Sequence, residues 1–271
     1  MPIPVPDPHL DPIEQLIQVM AILRGPGGCP WDREQTHTSL RAQLIEECYE
    51  VIDAIDTADP AALREELGDL LLHIVFHAQL AAERGEFTLR TAAASIVEKL
   101  IRRHPHVFGN VNAANADEVI RNWDAIKKEE KPERQSILDG VPRTFPALMR
   151  AQETQKKAAK IGFDWPDHEG PRAKITEELA EIEAEIEAAA PLAKIEDELG
   201  DLLFATVNYA RHLNIDAETA LHNATRKFQT RFQAMEQIAS ATGTHLKDLT
   251  LDEMEELWLT QKKAEKHKTT A

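Results

Sequence analysis

Apolar residues recur every three or four positions along most of this chain, which is the spacing that one face of an α-helix requires. Runs in which apolar and polar residues alternate, as in half-buried strands, are scarce. We therefore expect an all-α protein with five main helices in each half. The predicted helices are Ile13–Arg24, Ser39–Asp56, Pro60–Arg84, Thr88–Arg103, Ala116–Glu130, Pro146–Ala159, Pro171–Ala188, Pro191–Leu213, Ala217–Ala241 and Thr250–Lys266.

A six-residue string, ELGDLL, occurs at residues 66–71 and again at 198–203. An acidic cluster precedes each copy, formed by Glu46, Glu47 and Glu50 in the first half and by Glu177, Glu178 and Glu181 in the second. The duplication predicts two helical-bundle domains, at 1–130 and 146–271, joined by a polar, proline-broken linker at 131–145. Residues shared by both halves are expected to serve the fold, whereas residues present in one half are candidates for the chemistry.

Charge and composition narrow the class of protein. Among 271 residues, 47 are acidic and 31 are basic, giving a net charge of −16. This balance argues against a nucleic-acid polymer or an anionic membrane as a partner, and it suits a protein that binds cations. Two cysteines make no disulfide framework, and neither a signal peptide nor a membrane-length apolar run is evident. We expect a soluble, cytoplasmic protein.

The segment 171–188 predicts an amphipathic helix in the second half. Glu178 and Glu181 lie side by side on the flank of its apolar stripe, with Lys174 between them. The stripe is predicted to face the core and consists of Ile175, Leu179, Ile182 and Ile186.

The next segment, 191–213, has apolar residues around most of its circumference. They are Leu199, Leu202, Leu203, Phe204 and Val207. We therefore expect this helix to be buried on nearly all sides. Glu198 and Asp201 share a strip of it with Lys194, so their carboxylates cannot simply point at water.

Acidic pairs at i,i+3 on two antiparallel neighbours would bring four carboxylates together. At 4 Å each like-charge pair costs about 4 kcal/mol at an effective dielectric near 20. Protonation would relieve this repulsion, as would a divalent cation; carboxylate ligation suits Mg²⁺ or Mn²⁺. The alternative is a solvated acidic helix face. The repetition of the pattern in the first half, at Glu47, Glu50, Glu66 and Asp69, favours a metal site.

Two histidines suggest a different metal chemistry. His73 and His77 follow Asp69 at helical spacing, as a di-iron bundle with Glu-x-x-His ligands would require. The second half has Ala205 and Tyr209 at the matching positions, and neither acidic cluster contains Glu-x-x-His. We therefore interpret both histidines as packed helix residues.

The pattern Glu-Glu-x-x-Glu, followed about sixteen residues later by Glu-x-x-Asp, resembles the signature of the MazG family. Three further segments resemble its long, tandem-domain members: GCPWD at 28–32, RRHPHVFG at 102–109 and GFDW at 162–165. These are all-α nucleoside triphosphate pyrophosphohydrolases, relatives of the dimeric dUTPases and of phosphoribosyl-ATP pyrophosphatase. The resemblance implies two tandem MazG-like domains.

For activity, the resemblance implies Mg²⁺-dependent cleavage of nucleoside triphosphates between the α- and β-phosphates, yielding NMP and pyrophosphate. It also implies broad base tolerance, a homodimer and a house-cleaning role in the nucleotide pool. The implied metal ligands are Glu178, Glu181, Glu198 and Asp201, with a second, weaker set at Glu47, Glu50, Glu66 and Asp69. The implied substrate contacts are Lys174, Glu178, Lys194, Asp201, Lys227, Arg231, Trp258 and Lys262. Glu177 and Lys194 are the candidate catalytic residues, Glu177 as the group that orients or deprotonates the attacking water.

The two halves share several basic and aromatic pairs. Lys-x-x-x-Arg occurs at Lys99/Arg103 and Lys227/Arg231, and Trp-x-x-x-Lys occurs at Trp123/Lys127 and Trp258/Lys262.

Lys174 and Lys194 differ, because their first-half counterparts are Gln43 and Ala62. We therefore predict that the second half is the main catalytic unit. Weak activity, regulatory nucleotide binding and dimerisation remain alternatives for the first half. For the whole chain, the remaining alternatives are a non-catalytic helical scaffold and a nucleotide sensor without turnover.

Overall fold

A computed structural model describes the backbone of residues 5–130 and 135–269. The side chains of Asp117, Asp124, Lys128, Glu129 and residues 265–269 lie outside the described set, as does the 131–134 part of the predicted linker. The chain divides into two compact units, unit 1 (Met1–Pro132) and unit 2 (Glu133–Ala271). Across the described backbone all regular structure is helical, which confirms the all-α prediction.

Unit 1 contains seven α-helices among its described residues. They are α1 (Pro12–Arg24), α2 (Pro30–Glu34), α3 (Arg41–Thr57), α4 (Pro60–Glu83), α5 (Leu89–Arg103), α6 (Pro105–Phe108) and α7 (Ala116–Glu129). Side-chain caps fix several of their starts. Asp11 and Asp59 accept hydrogen bonds from first-turn amides of α1 and α4, and Thr88 forms a capping box with Thr91 at the start of α5.

The core of unit 1 lies where α4 packs against α1 and α3. It is formed by Met20, Leu40, Val75, Phe76 and Leu80. Removing this apolar surface from water is the main force that holds the three helices together.

Unit 2 contains five α-helices in its described part. They are α8 (Ala147–Ala159), α9 (Glu169–Glu187), α10 (Leu192–His212), α11 (Ala217–Ala241) and α12 (Leu251–Thr269), with a 3₁₀ turn at Leu246–Asp248. Two buried glutamines of α8 hold these helices through the backbone. Gln152 donates to the carbonyl of Ile215 and accepts from the amide of Ala217, while Gln155 donates to the carbonyl of Phe204.

The hairpins α3–α4 and α9–α10 are built alike. The backbone turns through the left-handed region at Ala58 (φ 52°) and at Ala189 (φ 51°), which ends the first helix of each pair. Pro60 is the first residue of α4, and Pro191 immediately precedes α10. The duplicated acidic residues therefore lie on two hairpins of the same design.

All ten predicted helices are present, with ends that differ by at most three residues from the predicted bounds. The helices α2 and α6 and the 3₁₀ turn were not predicted, because elements of three to five residues are too short to show a helical period. No described helix has both the length and the apolar character needed to cross a membrane.

The predicted burial of α9 and α10 was wrong in part. On α9 the stripe residues Leu179 and Ile186 are exposed, whereas the flanking Glu178 is buried. Of the apolar residues named for α10, Leu199, Leu203 and Phe204 are exposed, whereas the buried residues of this helix are Ala205, Val207 and Asn208. Helix α10 contacts α8, α9 and α11, and these neighbours leave an apolar face uncovered in the single chain.

Candidate metal centre and active site

Each hairpin brings three acidic side chains together. In unit 2, one carboxylate oxygen from each of Glu178, Glu181 and Glu198 lies within 4.8 Å of the other two. The i,i+3 spacing on α9 places the first two on one face, and α10 supplies the third. Unit 1 repeats the arrangement, with one residue from α3 and two from α4; these are Glu47, Glu66 and Asp69.

The fourth predicted ligand of each set lies beside its cluster. The charges of Glu178 and Asp201, together with the larger effect of burial, raise the pKa of Glu198. Burial, followed by the charge of Glu50, likewise raises the pKa of Glu47. Asp201 and Glu50 are therefore near enough to act on the clusters, although neither belongs to the group of oxygens within 4.8 Å.

Burial and neighbouring carboxylates also raise the pKa of Glu181 and of Glu66. Partial desolvation and the charge of Glu178 raise the pKa of Glu181, and desolvation and the charge of Glu50 raise the pKa of Glu66. Carboxyl groups with raised pKa values bind a proton or a cation readily. Both clusters therefore suit a divalent cation.

Glu178 is the strongest indication of a metal ligand. It is only 2% exposed, and its Oε1 accepts a hydrogen bond from Lys174 Nζ at 2.5 Å. Its Oε2 is buried without a hydrogen-bond partner. Buried polar atoms almost always have a partner, and a hard cation ligated by carboxylate oxygens would supply one here. The donor set, all carboxylate oxygen, fits Mg²⁺ or Mn²⁺.

Lys174 contacts both the predicted metal ligand Glu178 and the predicted catalytic residue Glu177 on α9. Its ammonium group also contacts the carboxylate of Glu177 at 2.9 Å, and hydrogen bonds to Glu178 and Glu177 raise the pKa of Lys174. Glu177 itself is exposed. The structure therefore places a fixed positive charge between the buried carboxylate and a solvent-facing one.

Lys194, the other predicted catalytic residue, is more exposed. Its Nζ lies 3.7 Å from an oxygen of Glu185, which is four positions beyond Glu181 on α9. Among the described residues Lys194 thus forms its ion pair with Glu185, toward the hairpin turn, and not with Glu198 or Asp201.

The remaining predicted contacts lie on α11 and α12. The guanidinium of Arg231 lies 5.3 Å from the centroid of Trp258, and the ring of Phe228 packs 5.2 Å from the same indole. Arg231 of α11 and Trp258 of α12 are thus in contact, with Lys227 and Lys262 exposed on the same two helices.

The matching pair in unit 1 has a different environment. The guanidinium of Arg103 lies 5.1 Å from the centroid of Trp123, but Arg103 is buried and ion-paired with Glu130. Arg102 joins the same carboxylate at 2.6 Å. Hydrogen bonds from Arg103 and Arg102 lower the pKa of Glu130 to about 2.

The interpretation of His73 and His77 as packed residues agrees with their burial. His73 is buried, and the half-buried ring of His77 stacks on His37 with centroids 5.1 Å apart. Sequence reasoning missed a cavity of about 360 Å³ beside the first acidic cluster, lined by His73 and Trp31 among others. No spacing rule connects two residues that lie on different helices this far apart in the chain.

Comparison with known proteins agrees with this geometry. A family model described as the MazG nucleotide pyrophosphohydrolase domain matches residues 35–108 and again residues 167–235, so each acidic hairpin falls within one match.

Relatives cover nearly the whole chain. A nucleoside triphosphate pyrophosphohydrolase of Escherichia coli (strain K12) is 46% identical over 94% of this chain and 99% of its own length. The nucleoside triphosphate pyrophosphohydrolase/pyrophosphatase MazG of Thermotoga maritima is 47% identical over 90% of this chain and 93% of its own. A nucleoside triphosphate pyrophosphohydrolase of Mycobacterium tuberculosis is 41% identical over 55% of this chain. The chain therefore belongs to the MazG family, and it carries the family's domain twice.

Proposed function

We propose that this protein is a nucleoside triphosphate pyrophosphohydrolase that cleaves its substrate between the α- and β-phosphates. The products are a nucleoside monophosphate and pyrophosphate. One observation carries the proposal: Glu178, a buried member of a three-carboxylate cluster, has one oxygen without a hydrogen-bond partner and accepts a hydrogen bond from a lysine on the other. The names of the two long relatives support the same activity.

Mg²⁺, or Mn²⁺ in its place, would be held by Glu178, Glu181 and Glu198, with Asp201 beside them. When bound, the cation would neutralise charge on phosphate oxygens and make a water molecule more acidic. The three carboxylates come from two neighbouring helices and each offers an oxygen within 4.8 Å of the other two, so the site would be preorganised for a cation.

The side chains of α9 supply the rest of the chemistry. Lys174 carries a positive charge that two glutamates hold in place, and it is suited to bind a phosphate oxygen of the substrate. Glu177 is exposed beside it and would accept a proton from the attacking water. The water oxygen bonds to Pα as the bond from Pα to the bridging oxygen breaks, and pyrophosphate leaves with the electron pair.

The surface formed by Lys227, Arg231, Trp258 and Lys262 would bind the nucleoside and the outer phosphates. Basic side chains offset polyphosphate charge, and the face of Trp258 would stack on a base. Stacking is tolerant of base identity, so we propose broad base specificity. A house-cleaning role in the nucleotide pool follows from that breadth.

A homodimer would cover apolar surface that the single chain leaves in water. Residues exposed by 40% or more occur on both acidic hairpins: Ile45, Tyr49, Ile52, Leu67 and Ile74 in unit 1, and Leu179, Ile186, Leu199, Leu203 and Phe204 in unit 2. Concentrated exposed apolar surface marks an interface more often than a free face.

Both cysteines are free, which suits the reducing environment of the cytoplasm.

Product analysis tests the proposed reaction. The full chain is incubated with ATP, dGTP or dUTP and Mg²⁺, and the products are resolved by ion-exchange chromatography. We expect NMP and pyrophosphate in equal amounts, and no turnover when Mg²⁺ is chelated. NDP with orthophosphate would refute the cleavage position, and tight binding without turnover would identify a nucleotide sensor.

A further inference from the structure

Unit 1 contains a cavity of about 360 Å³ that opens beside its own acidic cluster. The apolar part of its wall includes Met20, Leu40 and Phe76, which belong to the core of the unit. The acidic part includes Glu46, Glu47 and Glu50 of α3. Half of the residues that line the cavity are apolar and half are polar or charged, and its volume lies in the range of about 300–1,000 Å³ that is typical of small-molecule sites.

His73 is a residue of this wall with one ring nitrogen that has no partner. The residue is 8% exposed, it lines the cavity, and its Nδ1 is buried without a hydrogen bond. Its Nε2 lies 3.7 Å from an oxygen of Glu47, so the ring also touches the acidic cluster. A neutral imidazole offers one N–H donor and one acceptor, and a buried group of this kind is rarely left unmatched.

The remaining polar residues of the cavity lining are Asp32 and Gln43, and neither is basic, so the ligand part that the cavity holds is expected to carry no negative charge. Where unit 2 has Lys174 beside its buried glutamate, unit 1 has Gln43, and the side chain of Gln43 lines the same cavity. An amide offers both donors and an acceptor without charge. Trp31 lines the cavity as well and is half exposed, so it presents an aromatic face for stacking.

A ligand that fits this cavity and the cluster beside it would be a flat, uncharged heterocycle attached to an anionic group. Glu47, Glu66 and Asp69 form a carboxylate cluster suited to a divalent cation, which would bind phosphate oxygens, and the adjoining cavity would take the ring. We propose that unit 1 is a second nucleotide-binding site, in which His73 hydrogen-bonds the base and makes the site base-selective. The proposal rests on the proposed function for its ligand class, because the nucleotide is common to both units.

The selectivity belongs to unit 1 alone. The position of His73 is occupied by Ala205 in unit 2, which offers no side-chain hydrogen bond. The two units would therefore bind nucleotides by the same carboxylate hairpin and distinguish bases differently.

Calorimetry on the full chain tests this inference without relying on turnover. The ligands are α,β-methylene analogues of ATP, GTP, CTP and UTP with Mg²⁺, and each is titrated into the wild type and into Glu198→Gln. We expect two analogues bound per wild-type chain and one per Glu198→Gln chain. We expect the remaining site to prefer one base. We also expect the intrinsic fluorescence to change as this site fills, and the change should be absent in the Trp31→Phe variant.

Two substitutions of His73 then separate recognition from packing. In the Glu198→Gln background, His73→Leu should weaken the preferred analogue about tenfold, the effect of one lost hydrogen bond, and should level the four affinities. His73→Gln keeps a donor and an acceptor and should stay within about threefold of its parent. Mg²⁺ binding measured alone should be equal in all three proteins.

Several results would overturn the inference and leave the proposed function intact. They are a single bound analogue in the wild type that Glu198→Gln abolishes, equal affinities for all four bases in the unit 1 site, or unchanged selectivity in His73→Leu. Should His73→Leu fail to fold, loss of selectivity in a folded His73→Gln would count equally against it. A chain that binds two analogues but releases no NMP from any triphosphate would refute the proposed function and not the second site.

Discussion

The two acidic hairpins of this chain have the same backbone design and nearly the same carboxylates, but different neighbours. In unit 2 a lysine lies 2.5 Å from the buried Glu178, whereas in unit 1 a neutral glutamine and a buried histidine stand near Glu47. A triphosphate brings several negative charges, which a cation and a lysine offset better than a cation alone. We propose that the duplicated hairpin supplies the metal ligands in both units and that the residues around it determine which unit suits which task.

The second difference between the units concerns their arginines. Arg103 of unit 1 is buried against Trp123 and paired with Glu130, so its charge is already balanced inside the unit. In unit 2, the matching Arg231 lies over Trp258 among the exposed Lys227 and Lys262. The same pair of residue types is therefore buried at its arginine in unit 1, whereas the arginine of unit 2 is only partly buried.

Removing the lysine should abolish the largest advantage of unit 2. We expect Lys174→Met to lower kcat/KM for ATP about 100-fold, because one preorganised positive group at the developing charge contributes on that scale. Steady-state kinetics with saturating Mg²⁺ measures the effect. The matched control is Gln43→Met in unit 1, which should leave turnover nearly unchanged; equal losses in the two variants would contradict the difference drawn between the units.

The proposed homodimer gives the next largest effect, and matched leucines allow the hairpins to be compared. Leu67 and Leu199 occupy equivalent positions and are 49% and 48% exposed. We expect the double variant Leu67→Asp/Leu199→Asp to be monomeric, because charge in an apolar interface opposes association. The mass is measured by sedimentation velocity for the double variant, for each single variant and for the wild type. A monomeric wild type would remove the dimer from the account.

Loss of Arg103 should mainly affect thermal stability, whereas loss of Arg231 should mainly affect substrate binding. Arg103→Met should lower the melting temperature by about 5 °C, because a buried ion pair and a cation–π contact are broken together. Arg231→Met should instead raise KM for ATP with a smaller thermal effect. Differential scanning calorimetry and kinetics on both variants test the contrast, which fails if Arg231→Met is the less stable protein.

The smallest expected effect is a pH dependence confined to unit 1. The two arginines hold the pKa of Glu130 at about 2, below its ordinary value of 4.5. The folded state therefore releases this proton more readily than the unfolded state, so the stabilisation is complete above pH 4.5 and is lost as the pH falls toward 2. We expect the free energy of unfolding of Glu130→Gln to fall less steeply than that of the wild type as the pH is lowered. Urea unfolding followed by Trp123 fluorescence at several pH values measures this. A limb as steep as that of the wild type would contradict the assignment.

Most of the fold could be predicted from the sequence, because the apolar spacing of long amphipathic helices and the residues that cap their ends are both local sequence features. Asp59 before Pro60 and Thr88 before Leu89 mark helix starts by hydrogen bonds that depend only on neighbouring residues. The repeat likewise predicted two similar acidic hairpins, since spacing along a helix fixes which carboxylates share a face.

The unpredicted features depend on packing between elements. A helical wheel placed Glu178 on a flank, but the way α9 packs buries it more deeply than the leucine and the isoleucines of the stripe. The apolar circumference of α10 suggested complete burial, yet the helices of one chain cover only part of it. The cavity of unit 1 joins Trp31 of α2 to His73 of α4, a proximity that no local pattern encodes.

The most direct test of the assignment of catalysis to unit 2 compares two equivalent carboxylates, Glu198 and Glu66. Turnover of dGTP with Mg²⁺ is measured for Glu198→Gln and Glu66→Gln, with circular dichroism to confirm that both are folded. We expect Glu198→Gln to lose at least about 100-fold in kcat, since even partners of metal ligands contribute 10–100-fold, and Glu66→Gln to retain most of it. Loss of turnover in Glu66→Gln with full turnover in Glu198→Gln would place the reaction in unit 1 and contradict the account.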